Sequence, residues 1–372
     1  MMMPGFKRLL RPALFGLLLA TLMVPSGFAR AEKPIVGAYL WGGMLQGAEG
    51  TDRFHKSLKF LLDQGFQAVR FTVSSSTLRE LGLDRVSCGQ PRRIGCYLEK
   101  ALADPVFDDQ RIKLLMITLH EFGSQEALSR GVDGDRAREV ETEFRQAVDI
   151  LQRRFAGRPV RIVISNWEGD NMVYCGAVFG YMRNASKARA CDSQDGNGIQ
   201  RRLTNFLDWM KLRDAVVQAA RARHPDFNIA HAPEFNVANL RTQQCVTSCD
   251  ATKTVFETLA RAGQRPLCSY SSYNSATRGQ LQQDLPRLLR TCQQLILGEL
   301  GFPERRGNET VRSGFATAAA AIAQQQDKIP AVIIWNAFNV PGVTRDNSYG
   351  LFRQDGSRGN IDNLPAELQP GR

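Results

Sequence analysis

Apolar and β-branched residues gather into eight short runs, each stopped by polar residues or glycine. They are 35–41 (I-V-G-A-Y-L-W), 67–73 (Q-A-V-R-F-T-V), 112–119 (I-K-L-L-M-I-T-L), 160–165 (V-R-I-V-I-S), 227–232 (F-N-I-A-H-A), 266–272, 294–300 and 331–337. Nearly continuous apolar runs of this length predict strands buried on both faces. Between them, three- and four-residue spacing predicts helices. Phe54, Leu58, Leu61 and Leu62 share one face, and Val140, Phe144, Val148, Leu151 and Phe155 another. A third begins with Leu203, Phe206, Leu207 and Met210 and continues through Val216, Val217 and Ala220 toward Pro225. Further helices are expected over 251–263, 278–291 and the Ala-rich 309–326, with a short one near 97–103.

Strand and helix alternating eight times over about 340 residues predict the α/β class, specifically a (β/α)8 TIM barrel. A doubly wound open sheet is the competing architecture. It is disfavoured because no Gly-x-Gly-x-x-Gly follows the first strand and no Gly-x4-Gly-Lys-[Ser/Thr] occurs. No linker, tandem repeat or low-complexity tract divides the chain, so residues 32–372 are expected to form one domain. The longest stretch without an evident element, Gly169 to Ile199, predicts an enlarged loop after the fourth strand. Its Asp192-to-Gly198 run lacks the acidic ladder and distal Glu of a calcium loop and reads as a solvated turn.

The first residues carry Lys7, Arg8 and Arg11, then an apolar core from Ala13 to Val24, then Ala29-Arg30-Ala31. This predicts a secretory signal peptide over 1–31 and a periplasmic or secreted protein. No later segment is apolar enough to span a bilayer. Without residues 1–31, which hold four basic and no acidic residues, the formal charge falls from +11 to +7. Lys and Arg are scattered and no basic block interleaves with aromatics, so no nucleic-acid groove is expected. An anionic glycan or envelope suits the charge, which also serves solubility alone.

All eight cysteines lie beyond residue 31, and an even count in an exported chain predicts disulfides. Grouping favours Cys88–Cys96, Cys175–Cys191, Cys245–Cys249 and Cys268–Cys292, although sequence alone does not fix connectivity. Zinc is disfavoured because no Cys-x2-Cys or His-x3–5-His pair occurs, and no metal or cofactor is expected.

Chemistry concentrates where strands end, because a barrel gathers those ends at one mouth. V-R-I-V-I-S-N-W-E-G-D-N (160–171) ends an apolar run in Asn166, Trp167, Glu168 and Asp170, and Q-L-I-L-G-E-L-G-F-P (294–303) ends another in Glu299. Two carboxylates on one rim are the working pair of a glycosidase. The neighbouring inventory of Trp41, Arg70, His120, Asn166, Trp167, Asp170, Glu234, Asn236, Tyr273 and Trp335 is expected to bind substrate. Aromatic faces stack on pyranose rings, and amides and carboxylates bond hydroxyls. Taken singly, Glu168 also suits a helix start and Trp41 and Trp335 a core cap. Glu121 reads as a salt-bridge or substrate group, and His231 as a hydrogen-bonding one.

These motifs resemble the retaining glycoside hydrolases of clan A, a (β/α)8 group that includes cellulases, mannanases and β-galactosidases. The resemblance implies Glu168 as acid/base after strand four and Glu299, in G-E-L-G, as nucleophile after strand seven. It also matches Arg70, His120, Tyr273 in S-Y-S-S-Y, Trp335 and the closing Y-G-L-F-R-Q-D-G-S (349–357). One departure is visible: the clan usually places Asn directly before the acid/base Glu, whereas here Trp167 intervenes. Either the turn differs or another group, such as Asn171, holds the sugar 2-hydroxyl. The expected function is an exported retaining glycosidase that cleaves a β-linked oligo- or polysaccharide as a monomer. A non-catalytic glycan-binding barrel and a metal-assisted envelope hydrolase or deacetylase are the rivals.

Overall fold

The computed structural model describes residues 33–47, 49–89, 93–193, 198–239, 253–343 and 348–371. All belong to one compact unit, Glu32–Arg372. The expected signal peptide, residues 194–197 of the presumed solvated turn, and the Cys245–Cys249 pair lie outside the described residues.

β1 (Ile35–Leu40) leads through α1 (Gly50–Asp63) to β2 (Ala68–Val73), and α2 (Ile94–Ala101) precedes β3 (Leu114–Leu119). α3 (Ser124–Arg130) and α4 (Gly134–Phe155) connect β3 to β4 (Arg161–Ser165). Then come α5 (Gly169–Val173), α6 (Val178–Arg183), α7 (Ala185–Ser193) and α8 (Gly198–Arg223), followed by β5 (Ile229–Ala232) and β6 (Glu234–Phe235). α9 (Val255–Arg261) leads to β7 (Arg265–Ser271), and α10 (Tyr273–Thr277) and α11 (Leu281–Leu288) lead to β8 (Cys292–Leu300). α12 (Asn308–Ala323) returns the chain to β9 (Ala331–Ile334).

The strands form one sheet in the order β5-β4-β3-β2-β1-β9-β8-β7-β6, with parallel pairing throughout. β5 and β6 are halves of one barrel strand broken at Pro233. The first half pairs with β4 and the second with β7, and the Ser269 N–H donates to the Pro233 carbonyl at 3.0 Å. The ring therefore closes as a (β/α)8 barrel, with the predicted fifth strand split and extended past residue 232.

Alternation along the strands separates two cores. Tyr39, Ala68, Leu114, Met116, Val163, Ile296 and Ile333 fill the lower barrel, while a larger cluster joins the outer strand face to the helices. The helix faces read from sequence are the ones buried: Phe54, Leu58, Leu61 and Leu62 on α1, and Val140, Phe144, Val148, Leu151 and Phe155 on α4. On α8 Leu207 is only partly buried.

β8 breaks the alternation. Tyr270 pairs with Leu297, yet the next residue, Ser271, pairs with Glu299; on the other side Leu297 pairs with Val332 and Leu300 with Ile334. One extra residue on β8 makes a bulge, a device that re-aims a side chain.

The stretch expected as a bare loop after β4 contains α5, α6 and α7 instead, tied by Cys175–Cys191. Its helices are 5, 6 and 9 residues long, too short to show an apolar period. Cys88–Cys96 and Cys268–Cys292 are also bonded, as expected. No helix among the described residues is long and apolar enough to cross a membrane.

Candidate active site

The upper barrel is built on Arg70, which β2 turns inward at the level where apolar filling stops. Its guanidinium bonds both oxygens of Glu234 at 2.6 and 2.7 Å, reaches Thr118 Oγ1 at 2.9 and 2.7 Å, and donates to the Gly298 carbonyl at 3.0 Å. Its carbon lies 4.3 Å from the Tyr39 ring centre. Glu234 also accepts from Ser269 Oγ at 2.6 Å and from the Glu168 N–H at 3.2 Å. Arg70 and Glu234 are both fully buried, so the pair persists because geometry and extra hydrogen bonds offset desolvation.

Glu168 and Glu299 stand above this floor. Glu168 follows β4 with φ of 22°, a conformation non-glycine residues rarely adopt, held here by its N–H bond to Glu234. Glu299 reaches the same space through the β8 bulge. The Ser271 hydroxyl lies 2.7 Å from Glu168 Oε1 and 2.9 Å from Glu299 Oε2. Those two oxygens are therefore at most 5.6 Å apart, the sum of the two contacts. Asn171 Nδ2 donates to Glu168 Oε2 at 2.5 Å, while its Oδ1 accepts the Val178 N–H at 3.0 Å, which fixes the amide orientation. The Tyr273 hydroxyl faces Glu168 and helps to offset the effect of burial on it. Among the described residues Glu299 Oε1 has no hydrogen-bond partner, and the Arg70 Nη1 stands 3.5 Å away.

Burial pushes both carboxyls up, Glu168 to about 7; the charge of Glu234 adds to the rise at Glu168, and those of Glu168 and Glu234 to the rise at Glu299. Two such groups titrate as one system and retain a shared proton. The Arg70 guanidinium beside Glu299 opposes that rise and favours negative charge there. Burial, helped by Arg213 and Arg70, pushes His120 down to about 3, so its neutral Nε2 accepts the Trp167 N–H at 3.0 Å.

Half-buried rings stand at the strand ends. Trp41 and Trp335 lie 4.9 Å apart between centres, and Tyr273 lies 6.1 Å from Tyr349. Asn336 donates to the Trp41 carbonyl at 2.5 Å. Beside Trp167 opens a cleft of about 520 Å³, lined also by Gln125, Glu126, Ser129, Arg130, Met172 and Arg202.

The residues expected to touch substrate thus divide. Trp41, His120, Trp167, Tyr273 and Trp335 remain partly exposed at the strand ends. Arg70 and Glu234 are the buried floor. Asn166 is fully buried and exchanges two hydrogen bonds with the Glu234 backbone, both at 2.8 Å. Asp170 is fully buried, and its oxygens accept the N–H groups of Asn236, Val237 and Val255 at 3.0, 3.0 and 2.8 Å. Asn236 is 2% exposed. All five hold other parts of the rim: Arg70 the Glu234 carboxylate and the Gly298 carbonyl, Glu234 the Glu168 N–H, Asn166 the Glu234 backbone, Asp170 three N–H groups, and Asn236 the Asn171 N–H at 3.4 Å. Ser271, Ser269 and Thr118 were not singled out from sequence, although S-Y-S-S-Y places Ser269 and Ser271 on one strand face. Among the described residues no cluster of His, Cys, Asp and Glu is arranged to hold a metal ion.

No family model matches the chain. β-Glucosidase 11 of Arabidopsis thaliana is 21% identical over 216 residues, 56% of this chain and 38% of that protein, so the chain spans well under half of its length. The solved structure of a β-glucosidase 1317 superposes with a TM-score of 0.55 at 11% identity, over 88% of this chain and 90% of that one. The β-glucosidase from Thermotoga maritima gives 0.53 at 10% identity over 87% and 93%. A GH5_18 protein from Bifidobacterium longum subsp. infantis gives 0.52 at 12% over 86% and 77%. The chain therefore shares its closed parallel barrel with glycoside hydrolases of clan A, β-glucosidases among them.

Proposed function

We propose that the chain is an exported retaining glycoside hydrolase acting on a β-linked oligo- or polysaccharide, with Glu299 as nucleophile and Glu168 as acid/base. The observation that carries this reading is the spacing of the two carboxyl groups. A limit of 5.6 Å suits the roughly 5–5.5 Å of double displacement and falls short of the roughly 6.5–9.5 Å of inversion.

In the first step Glu299 Oε1 attacks the anomeric carbon while Glu168 gives its proton to the departing glycosidic oxygen. The old C–O bond breaks as a glycosyl ester forms. In the second step Glu168, now a carboxylate, takes a proton from water. The water oxygen bonds the anomeric carbon and the ester electrons return to Glu299. The half-buried tryptophans suit stacking on sugar rings. The cleft beside Trp167 lies on the acid/base side and suits the leaving sugar. Three disulfides support an oxidising compartment.

The test is hydrolysis of neutral, acidic and amino-sugar β-glycans, with the anomer first released read by proton NMR. Glu168→Gln and Glu299→Gln are expected to lower kcat by about a thousandfold or more. Inverted product, or unchanged turnover in both variants, rules the assignment out.

A further inference from the structure

Ser271 is fully buried at the end of β7 and touches both carboxyls, yet it owns one proton to donate. If both carboxyls were ionised, one would face the bare hydroxyl oxygen at under 3 Å. If both were protonated and both O–H groups donated to the two lone pairs of Ser271 Oγ, the serine's own proton would be left with no acceptor between them. Only the singly protonated pair lets every group bond: one carboxyl O–H donates to Ser271 Oγ, and Ser271 donates to the other carboxylate.

We propose that Ser271 is a positioning residue that holds the proton on Glu168 Oε1 and hydrogen bonds the Glu299 carboxylate, switching its donation to Glu168 once Glu299 is esterified. This rests on the double-displacement reading of the same site. The direction of the relay comes from its surroundings. Toward Glu299 face Arg70 from β2, Tyr39 from β1, Glu234 from β6 and Tyr273 from α10. Toward Glu168 face Glu234, Tyr273 and the Asn171 amide. The one guanidinium against the pair among the described residues adjoins Glu299, so the negative end lies there.

The β8 bulge sets Ser271 opposite Glu299, a pairing that regular register would give to Gly298. When a sugar enters, its glycosidic oxygen replaces Ser271 as acceptor of the Glu168 proton. After ester formation Glu168 is the carboxylate and Ser271 turns toward it. When water regenerates Glu299, the hydroxyl turns back. No proton is gained or lost by Ser271 over the cycle.

The experiment compares the unmutated protein, Ser271→Ala and Ser271→Thr by two readouts. In kcat/KM against pH, loss of the hydroxyl is expected to narrow the bell. The acidic limb moves up and the alkaline limb moves down, each by about one pH unit, and threonine restores most of the width. In ¹³C NMR titrations of labelled glutamate side chains, assigned with Glu168→Gln and Glu299→Gln, the two steps of the pair are expected to draw together in Ser271→Ala. A bell of unchanged width with only lower kcat, or unchanged separation of the two NMR steps, overturns the proposal and leaves Ser271 a packing residue. Absence of hydrolysis by the unmutated protein would instead defeat the glycosidase reading, and the substrate-free NMR titration would still decide the role of Ser271.

Discussion

Gly298 shows how tightly the residues under the carboxyl pair are fitted. A β-carbon there would collide with Glu234 Oε2 and Ser269 Oγ and stand 2.8 Å from Arg70 Nη1. Gly298→Ala is therefore expected to cost about 2 kcal/mol or more in denaturant unfolding and to lower turnover, because the ion pair must shift to admit a methyl group. An unchanged midpoint would show that the floor is softer than described. At this scale the sequence was readable where a residue contradicts its surroundings. Arg70 interrupts an apolar strand, and Glu168 and Glu299 end two more. It was unreadable where the type is ordinary: Ser271 looks like any strand-end serine, and Asn166 and Asp170 give the same signal whether they bond a sugar or a backbone N–H.

Among the elements, the connection after β4 has the most direct hold on the acid/base candidate. Asn171 bridges Glu168 and Val178, and Cys175–Cys191 fastens the same segment across a separation of 16 residues. Replacing both cysteines with serine is expected to cost up to about 3 kcal/mol and also to shift the alkaline limb of the pH–rate profile. Loss of Cys268–Cys292, which joins β7 to the start of β8, is expected to lower stability without moving that limb. If the two variants behave alike, the strap does not tune Glu168. Strands and long helices were legible because their burial imposes a period on the sequence. α5, α6 and α7 were not, since each is a turn or two long. The bulge in β8 was equally hidden, because one extra residue changes register without changing composition.

For the whole molecule, pH couples the site to stability. Burial pushes Glu143 and Glu168 to about 7 and Asp170 to about 6, and raises Glu121 and Glu299 as well. Between the ordinary carboxylate range and these values the folded chain holds protons that the unfolded chain has released, so stability falls as pH rises. His120 and His231 act oppositely: both are lowered by burial, and their contribution grows as pH rises toward the ordinary imidazole value of 6.5. Above 6.5 the histidine contribution is complete while that of the raised carboxyls is still being lost, so Tm is expected to be lower at about pH 7.5 than at about pH 6. A flat or rising Tm across that interval contradicts the protonation states assigned here. Barrel closure itself was legible from eight alternating runs, but not the split at Pro233. That split has a consequence of its own. The ring is joined there by a two-residue ladder, Glu234 with Ser269 and Phe235 with Tyr270, far shorter than the six-residue ladder of β2 with β3. In native-state hydrogen exchange the amide of Ser269 should lose its deuterium well before those of β2 and β3, so the wall beneath the reacting groups is also where the cylinder breathes first.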